Sequence, residues 1–210
     1  MSDRKEFSWF EIATELKTIS QAGKTFAKDE YELKRHLRIE EITASILAKH
    51  TNVDYEQALA MLQDDCGYPT PKTDSRGAVF RDDKILLVKE IEDGGWTLPG
   101  GWCDVGMTPA ENVVREIWEE SGFETKAVKL IAILDRRTQG HLPPYPFDIY
   151  KMFFLCEITG GEAKTSIETS EVAFFSESQI PELSHSRTQL HQIEMCFEHY
   201  RNRDLPTVYD

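Results

Sequence analysis

The sequence predicts an α/β sandwich preceded by a small all-helical N-terminal domain, and three observations support this prediction. Apolar residues recur at helical spacing through residues 1–64, and a turn-rich linker with two prolines and a glycine occupies residues 65–73. Short apolar runs that are typical of strands are then interspersed with helical segments over residues 74–210. A chain of 210 residues can bury a sizeable core, so it has room for two unequal domains.

Three helices are predicted in the N-terminal domain. The first covers residues 7–21 and is expected to end at Gly23, because glycine commonly terminates helices. Asp29 is expected to cap the second helix, and Asp54 the third. Three short helices bury little area by themselves, so this domain should pack on the rest of the chain or on a second subunit.

The second domain begins with a predicted hairpin. Residues 77–80 and 84–88 are apolar strand-like runs joined by a turn at residues 81–83. A loop at residues 92–95 leads to a glycine-rich segment, in which Trp96 is expected to belong to the core. Further strands are predicted at residues 128–134, 150–158 and 172–175, and a last helix at residues 187–201.

Sequence signals at both ends define a helix near the middle of the chain. Thr108 is the predicted N-cap, Pro109 takes the first helical position, Glu111 completes a capping box, and Gly122 ends the helix. One face carries an apolar stripe at i, i+3, i+4 and i+7, formed by Ala110, Val113, Val114 and Ile117.

The neighbouring face of this helix carries three carboxylates. Glu116, Glu119 and Glu120 lie within an arc of about 100°. Like charges one turn apart repel each other, so their clustering beside a core surface suggests a cation between them. Oxygen ligands favour a divalent metal such as Mg²⁺. The alternative is a solvated acidic face, which is the usual explanation of a charge run.

The segment that contains these residues closely resembles the Nudix box. That family pattern has Gly, five residues, Glu, seven residues, and then Arg-Glu-aliphatic-x-Glu-Glu-x-Gly-aliphatic. This sequence has Gly101, then Arg115-Glu116-Ile117-x-Glu119-Glu120, and Gly122 at the matching positions. It departs at Met107, where the pattern has glutamate, and Phe123 stands for an aliphatic residue. A long pattern with fixed gaps is highly specific.

The resemblance implies the Nudix fold, a mixed sheet sandwiched between helices, over about residues 74–205. It also implies Mg²⁺- or Mn²⁺-dependent hydrolysis of a nucleoside diphosphate linked to a moiety X. At the matching positions, Glu116, Glu119 and Glu120 would be metal ligands together with the Gly101 carbonyl, and Arg115 would orient a neighbouring glutamate. Metals bound by carboxylates supply the charge neutralisation and activated water that pyrophosphate cleavage requires. Met107 is expected to change metal number or affinity without abolishing hydrolysis.

Nudix enzymes often carry a further glutamate on a late loop, as a metal ligand or general base. Glu168 and Glu171 are the candidates in this sequence, and Glu171 is selected as the catalytic one. Glu116 itself is a further candidate for the base. The alternative for Glu168 and Glu171 is a solvated loop.

A proline-rich loop at residues 141–147 is the candidate substrate site. Tyr145 and Phe147 could hold a nucleotide base or a choline-like cation by ring-face contacts. His141 is a further candidate, as a general base. The alternative is a rigid turn between two strands.

The N-terminal block is similar to the extension on Nudix hydrolases of X-linked nucleoside diphosphates, a group that includes ADP-ribose and CDP-choline pyrophosphatases. Members commonly dimerise, so the resemblance implies a homodimer; the alternative is a monomeric cap. The similarity rests on Trp9, Glu15-Leu16, Ala22-Gly23, Lys28-Asp29-x-Tyr31-Glu32 and Arg35.

Composition argues against several classes of partner. The chain is 40% hydrophobic and 29% charged, and its formal net charge of −13 disfavours sequence-independent binding to DNA or to an anionic membrane. The N-terminal residues show neither a signal peptide nor a membrane anchor. The four cysteines are scattered and are interpreted as reduced thiols. We therefore expect a soluble, acidic, cytoplasmic protein.

The leading functional hypothesis is an enzyme that splits a nucleoside diphosphate–X substrate into a nucleoside monophosphate and phospho-X, with CDP-choline and ADP-ribose as first candidates. A second hypothesis is removal of pyrophosphate from nucleoside triphosphates or RNA 5′ ends, although RNA would favour a basic groove. A third, of another class, is a nucleotide sensor that binds without cleavage. Such a sensor would be expected to have lost box carboxylates.

Overall fold

A computed structural model describes residues 8–64, 66–143, 145 and 147–210. The chain divides into two compact units, Met1–Pro71 and Lys72–Asp210. Within the described residues, every helix is too short or too polar to span a bilayer.

The first unit consists of three helices: α1 at Trp9–Phe26, α2 at Glu30–His50 and α3 at Tyr55–Gln63. Ser8 caps α1 in a capping box with Glu11, and Phe7, the predicted first residue, lies outside the described part of the chain. The predicted caps at Asp29 and Asp54 are confirmed, because each carboxylate accepts hydrogen bonds from backbone N–H groups of the first helical turn.

The predicted helix end at Gly23 is wrong, because α1 continues to Phe26. A Cβ atom on Gly23 would lie 2.0 Å from the ring of His36 on α2. The glycine therefore permits close packing of two helices and does not terminate one. Helical hydrogen bonds tolerate an interior glycine at a cost of about 1 kcal/mol, which the packing contact can offset.

The first unit has a small core and an exposed apolar stripe. Its buried residues are Ala13, Ala44, Leu47, Ala58 and Leu62. On the other side of α1, Ile12, Ile19 and Phe26 recur every seven residues and are 41%, 45% and 63% exposed. A seven-residue repeat aligns side chains along one side of a helix, so these three form a continuous stripe.

The second unit is built on a mixed eight-stranded sheet. Its strands are β1 Lys72–Arg81, β2 Lys84–Glu90, β3 Trp96–Thr97, β4 Gly100–Trp102, β5 Phe123–Asp135, β6 Ile149–Gly161, β7 Thr169–Phe175 and β8 Val208–Tyr209. The order is β3-β2-β1-β6-β5-β8, with β4 also pairing with β1 and β7 with β2. The β1–β6 and β5–β8 pairs are parallel, whereas the others are antiparallel.

One helix covers each face of this sheet. Ala78, Ile85 and Phe153 pack with α5, Leu190–Arg201, whereas their neighbours in the chain, Val79 and Leu86, pack with α4, Pro109–Ser121. Successive strand residues point to opposite faces, so strands buried on both faces read as continuous apolar runs. This arrangement is the predicted sandwich, and Trp96 lies in the core as expected.

The signals that predicted α4 are confirmed at both ends. Thr108 and Glu111 form the capping box, Pro109 starts the helix, and Gly122 ends it with a φ of 78°. The predicted hairpin turn is also present, with Asp82 and Asp83 at φ angles of 51° and 57°. Positive φ at both central residues gives the turn a twist that matches the two strands.

Several short elements differ from the prediction. The glycine-rich segment holds β3 and β4, the last helix begins at Leu190, and β8 was not predicted. Strands of two or three residues have no readable periodicity, because a two-residue alternation needs a longer run to be recognised.

Candidate active site

A large cavity in the second unit brings the candidate residues together. It has a volume of about 2090 Å³ and lies beside α4 and β1, with walls from the loops around residues 90–95, 161–168 and 182–187. Small-molecule sites typically occupy about 300–1,000 Å³, so this cavity can hold an extended ligand of nucleotide size.

The last turns of α4 line the cavity with three carboxylates in different environments. Glu120 is 6% exposed and accepts a hydrogen bond of 2.8 Å from the Gly100 backbone N–H. Burial raises the pKa of Glu120 to about 8, although Arg76 opposes this effect. Burial also raises the pKa of Glu116, whereas Glu119 is exposed. The first two carboxylates are thus desolvated and poised to gain from a nearby cation.

Two glycines allow the backbone to approach these carboxylates. Gly100 has a φ of 138°, and a Cβ atom there would lie 2.0 Å from the Ser75 carbonyl oxygen. A Cβ atom on Gly101 would lie 3.0 Å from Glu116 Oε2. The glycine-rich segment is therefore fixed by the close contact between β4, β1 and α4.

Arg115 connects the carboxylates of the site. Its Nη2 lies 2.8 Å from Glu116 Oε1 and 2.7 Å from Asp104 Oδ2, and its Nη1 lies 3.7 Å from Glu119 Oε1. The buried amide of Asn112 accepts from the same Nη2 at 3.1 Å. A planar guanidinium held by several acceptors in this way can fix the orientation of a carboxylate.

The floor of the cavity contains a buried charge cluster that the sequence analysis missed. Arg76 Nη2 and Lys151 Nζ lie 2.7 Å and 2.8 Å from the two carboxylate oxygens of Asp74. Burial opposes ionisation of Asp74, but the two cations outweigh it and hold its pKa well below the usual range. Burial lowers the pKa of Lys151 to about 8. The parallel pairing of β1 with β6 places Asp74 opposite Lys151.

The strand register orders the charges along the cavity. Gly100, whose N–H binds Glu120, pairs with Arg76, and Asp74 pairs with Lys151 two residues along β1. Arg136 N–H donates to the carbonyl of Ile149, two residues before Lys151. The carboxylates of α4 therefore lie at one end and an excess of cations at the other. The formal charge of the whole chain gives no sign of this internal separation.

Arg136 is the cation at the far end of this series. It is 8% exposed, lines the cavity and donates a hydrogen bond of 2.9 Å to the Pro143 carbonyl oxygen. Its Cζ lies 5.7 Å from the centroid of the Tyr145 ring. Among the described residues, no carboxylate forms an ion pair with Arg136. Its charge is therefore available to a ligand.

The three candidates on the proline-rich loop are placed differently. Tyr145 lines the cavity, whereas Phe147 and His141 do not. Phe147 is 7% exposed, and Lys72 Nζ lies 5.3 Å from its ring centroid. His141 is also buried, so both side chains lie outside the lining of the cavity, and a role for them in substrate binding stays a prediction.

His141 is held as a neutral imidazole. Its Nδ1 lies 3.2 Å from the His185 carbonyl oxygen, and its Nε2 lies 3.0 Å from the Gln192 side-chain nitrogen. These partners assign the proton to Nδ1, which donates to the carbonyl, and leave Nε2 to accept from Gln192. Burial, with help from Lys151 and Arg136, lowers the pKa of His141 to about 3.

The two late glutamates also differ in position. Glu168 lines the cavity and acts electrostatically on Glu116, and the carbonyl oxygen of Glu168 accepts from Ile91 N–H at 2.9 Å. Glu171 lies outside the cavity lining, and its carboxylate pairs with Lys89 at 2.7 Å across the β2–β7 ladder. The selection of Glu171 over Glu168 is therefore not supported by their positions.

The donor groups of the site fit a divalent metal. Within the described part of the chain, no three His, Cys, Asp or Glu side chains are grouped so that they could hold a metal ion as they stand. Mg²⁺, however, usually binds one or two carboxylates together with water and substrate phosphates. Glu116 and Glu120, beside the Gly101 backbone, offer that donor set. The charge of Glu116 adds to the raised pKa of Glu120, so a cation between them would favour both ionised carboxylates.

Comparison with known proteins identifies both units. Residues 71–194 match the NUDIX domain, and residues 8–62 match a UDP-X-like, N-terminal oligomerisation domain. YjhB of Bacillus subtilis strain 168, a candidate ADP-ribose pyrophosphatase, is 44% identical over 202 residues, which are 96% of this chain and 97% of that protein.

Two solved structures share the fold. An ADP-ribose pyrophosphatase from Streptococcus suis is 41% identical with a TM-score of 0.62, over 67% of this chain and 100% of that chain. A UDP-X diphosphatase is 29% identical with a TM-score of 0.62, over 96% of this chain and 97% of that chain. These similarities confirm the predicted fold.

We predict that His141 makes stability depend on pH. Its folded pKa of about 3 is below its ordinary value of 6.5, so the unfolded chain binds the proton more readily. Stability is therefore complete above about pH 6.5 and decreases as the pH falls toward 3. From about pH 7 to pH 5.5, the free energy of unfolding should fall by about 1 kcal/mol more in wild type than in His141→Gln. Chemical denaturation at both pH values measures the difference.

His191, on the exposed side of α5, provides the matched control. The His191→Gln variant should keep the pH dependence of the wild type. Identical pH dependence in wild type and His141→Gln would show that His141 is not a buried neutral imidazole.

Proposed function

The chain belongs to the Nudix hydrolase family, and from that premise we propose that it hydrolyses the pyrophosphate bond of a nucleoside diphosphate linked to a neutral sugar, with ADP-ribose as the first candidate. The products would be a nucleoside monophosphate and a sugar phosphate. The observation that carries this proposal is that one cavity has desolvated carboxylates of α4 at one end and, at the other, a guanidinium beside the Tyr145 ring that pairs with no carboxylate of the described residues.

Nudix hydrolases generally use divalent metals, and we propose Mg²⁺ or Mn²⁺ for this one. Glu116, Glu119 and Glu120, with the Gly101 carbonyl, are the groups that would hold it. The chemistry that such an ion supplies is charge neutralisation on phosphate oxygens and activation of water. Arg115 keeps Glu116 oriented toward the cavity through the 2.8 Å contact.

We propose Glu168, in place of Glu171, as the residue that takes the proton from the attacking water. Its carboxylate is in the cavity wall and close enough to Glu116 to raise the pKa of that residue. Its backbone is fixed on both sides, because Glu168 N–H donates to Ser166 Oγ and the Glu168 carbonyl accepts from Ile91. A general base must reach its proton directly or through one water, and the place of Glu168 in the cavity wall, where Glu171 is not found, supports this proposal.

A neutral sugar is favoured over choline as the moiety X. A quaternary ammonium binds best against free aromatic faces. Here Arg136 and Lys72 already lie over Tyr145 and Phe147, respectively. The unpaired charge of Arg136 would also repel choline, whereas sugar hydroxyls can accept its hydrogen bonds. CDP-choline therefore becomes the second candidate.

We propose a homodimer formed through the stripe of Ile12, Ile19 and Phe26. The matched N-terminal family is described as an oligomerisation domain, which supports this assembly. An exposed apolar row along one side of a helix is a surface on which a second helix can pack. All four cysteines are free, which is consistent with a proposed location in the reducing cytoplasm.

A substrate panel tests the reaction. We expect the wild type, with Mg²⁺ or Mn²⁺, to convert ADP-ribose to AMP and ribose 5-phosphate faster than it cleaves GTP or 5′-triphosphorylated RNA, with products separated by chromatography. Glu168→Gln should lower kcat by about 10²–10⁴-fold, because the proton acceptor is lost. Glu171→Gln is the matched control and should stay close to wild type.

Two results would contradict this assignment. Tight binding of nucleotides without any turnover would favour the sensor hypothesis. Loss of activity in Glu171→Gln, with normal activity in Glu168→Gln, would restore the original selection of Glu171.

Selection by Arg136 is tested with two substrates that share the same nucleotide, CDP-glucose and CDP-choline. The wild type should prefer CDP-glucose by about tenfold or more in kcat/KM, since two like charges at close range repel by a few kcal/mol. Arg136→Gln should reduce this ratio, whereas Arg136→Lys, which keeps the charge, should retain it. Arg137→Gln is the control, because Arg137 is exposed and already paired with Asp135 and Asp148. If Arg136→Gln leaves the ratio of kcat/KM for the two substrates unchanged, the moiety X does not bind beside Arg136.

The proposed dimer is tested by introducing a charge into the stripe. Ile19→Glu should convert the protein to a monomer in light scattering coupled to gel filtration, because a buried unpaired carboxylate is costly. Thr18→Glu introduces the same charge on an exposed position outside the stripe and should leave the dimer intact. A wild-type protein that is monomeric at all concentrations would rule out this interface.

A further inference from the structure

We propose that Asp104 is a positioning residue, which holds Arg115 in the orientation that aligns Glu116 and takes the place of the glutamate that the Nudix pattern has at position 107. This inference rests on the proposed metal-dependent hydrolysis. It concerns a residue outside the specified positions of the pattern.

The contact between Asp104 and Arg115 is short and fixed from both sides. Asp104 Oδ2 lies 2.7 Å from Arg115 Nη2, the shortest of the contacts that Arg115 makes with carboxylates. The backbone N–H of Asp104 donates to Asn112 Oδ1 at 3.1 Å. The same Asn112 oxygen accepts from Arg115 at 3.1 Å. Because Asn112 is fully buried, it ties the loop and the guanidinium to one rigid point.

Of the carboxylates that pair with Arg115 among the described residues, Asp104 is the one that is not a proposed metal ligand. The Nε of Arg115 is buried and has no hydrogen-bond partner in the described part of the chain. The guanidinium is therefore oriented only through Nη1 and Nη2. Without Asp104, its remaining carboxylate partners are Glu116 and Glu119, which are themselves proposed metal ligands. Loss of Asp104 would leave more of the positive charge of Arg115 to attract these two carboxylates, in competition with the metal.

The backbone explains how position 104 can replace position 107. Met107 N–H donates to the Asp104 carbonyl oxygen at 3.3 Å, which closes a four-residue turn. The first and last Cα atoms of such a turn lie within about 7 Å of each other. Position 107 therefore lies close to Asp104 in space, and the thioether of Met107 cannot form an ion pair with Arg115.

An exposed ion pair contributes little to stability, and the side chain of Asp104 is 59% exposed. A purely structural role for this pair therefore predicts almost no effect of its removal. A positioning role predicts a clear effect on metal binding and turnover. Removal of the Asp104 carboxylate should therefore separate the two roles, because folding stability should change little in either case.

The test compares Asp104→Asn, the double variant Asp104→Asn/Met107→Glu, and wild type. Calorimetry with Mn²⁺ alone, without substrate, measures the metal dissociation constant, and kinetics with ADP-ribose gives kcat and KM separately. Asp104→Asn should weaken metal binding or lower kcat by about 10–100-fold, with KM little changed, as expected for a group that orients a ligand. Met107→Glu should recover most of that loss in the double variant. Asp204→Asn makes the same charge change on an exposed residue and should match wild type.

Failure of this inference can be distinguished from failure of the proposed function. If wild type binds Mn²⁺ and turns over substrate while Asp104→Asn does both equally well, Asp104 has no positioning role and the function stands. If Asp104→Asn weakens metal binding or lowers kcat and the added Met107→Glu does not recover it, position 104 does not take the place of position 107. If wild type binds no Mn²⁺ and also turns over no substrate, the proposed function and this inference both fail.

Discussion

The close docking of α4 against β1 and β4 is the constraint on which the rest of the site depends. Glu120 binds the Gly100 backbone, and Asn112 reaches both strands with two hydrogen bonds of 3.1 Å. Gly77 on β1 allows α4 to pack closely, since a Cβ atom there would lie 2.5 Å from the Ile117 side chain. These contacts hold like charges together at the cavity although their mutual repulsion opposes the arrangement. The packing of α4 thus holds these carboxylates together, although their mutual repulsion and their burial both oppose the arrangement.

What could be predicted from the sequence is the part of the site that is local in the chain. The helix that carries Glu116, Glu119 and Glu120 has its cap, its first proline and its terminal glycine within a few residues, so its bounds and its faces follow from spacing. Asp74 and Lys151 are different, because 77 residues separate them and only the pairing of β1 with β6 joins them. A single sequence gives no register for two distant strands, and the buried charge cluster could not be inferred.

The same limit explains the outcome for the late glutamates and the proline-rich loop. The position of Glu171 is set by its pairing with Lys89 on another strand. The position of Glu168 is set by the hydrogen bond between its carbonyl and Ile91 N–H. For His141 and Phe147, residue type suggested ligand contact, whereas both side chains are buried outside the lining of the cavity. A sequence gives the chemistry of each side chain, but tertiary contacts decide whether that side chain faces the cavity or is buried in the protein. Net charge is equally uninformative here, since an acidic chain encloses a cationic end of its cavity.

The separation of the cavity into two ends has a consequence for how such a protein can change. The groups proposed for bond cleavage come from one continuous stretch around α4, with Glu168 as an addition from a distant loop, whereas those at the cationic end come from separate segments, Arg136 after β5, Tyr145 on its loop and Lys151 on β6. Arg136 and Tyr145 lie in the segment between β5 and β6, away from the contacts that dock α4 on β1 and β4, whereas Lys151 is also needed by the buried carboxylate of Asp74. The groups proposed to cleave the pyrophosphate bond can therefore stay constant while residues around the moiety X change. A laboratory selection for new substrates can be limited to the residues around X.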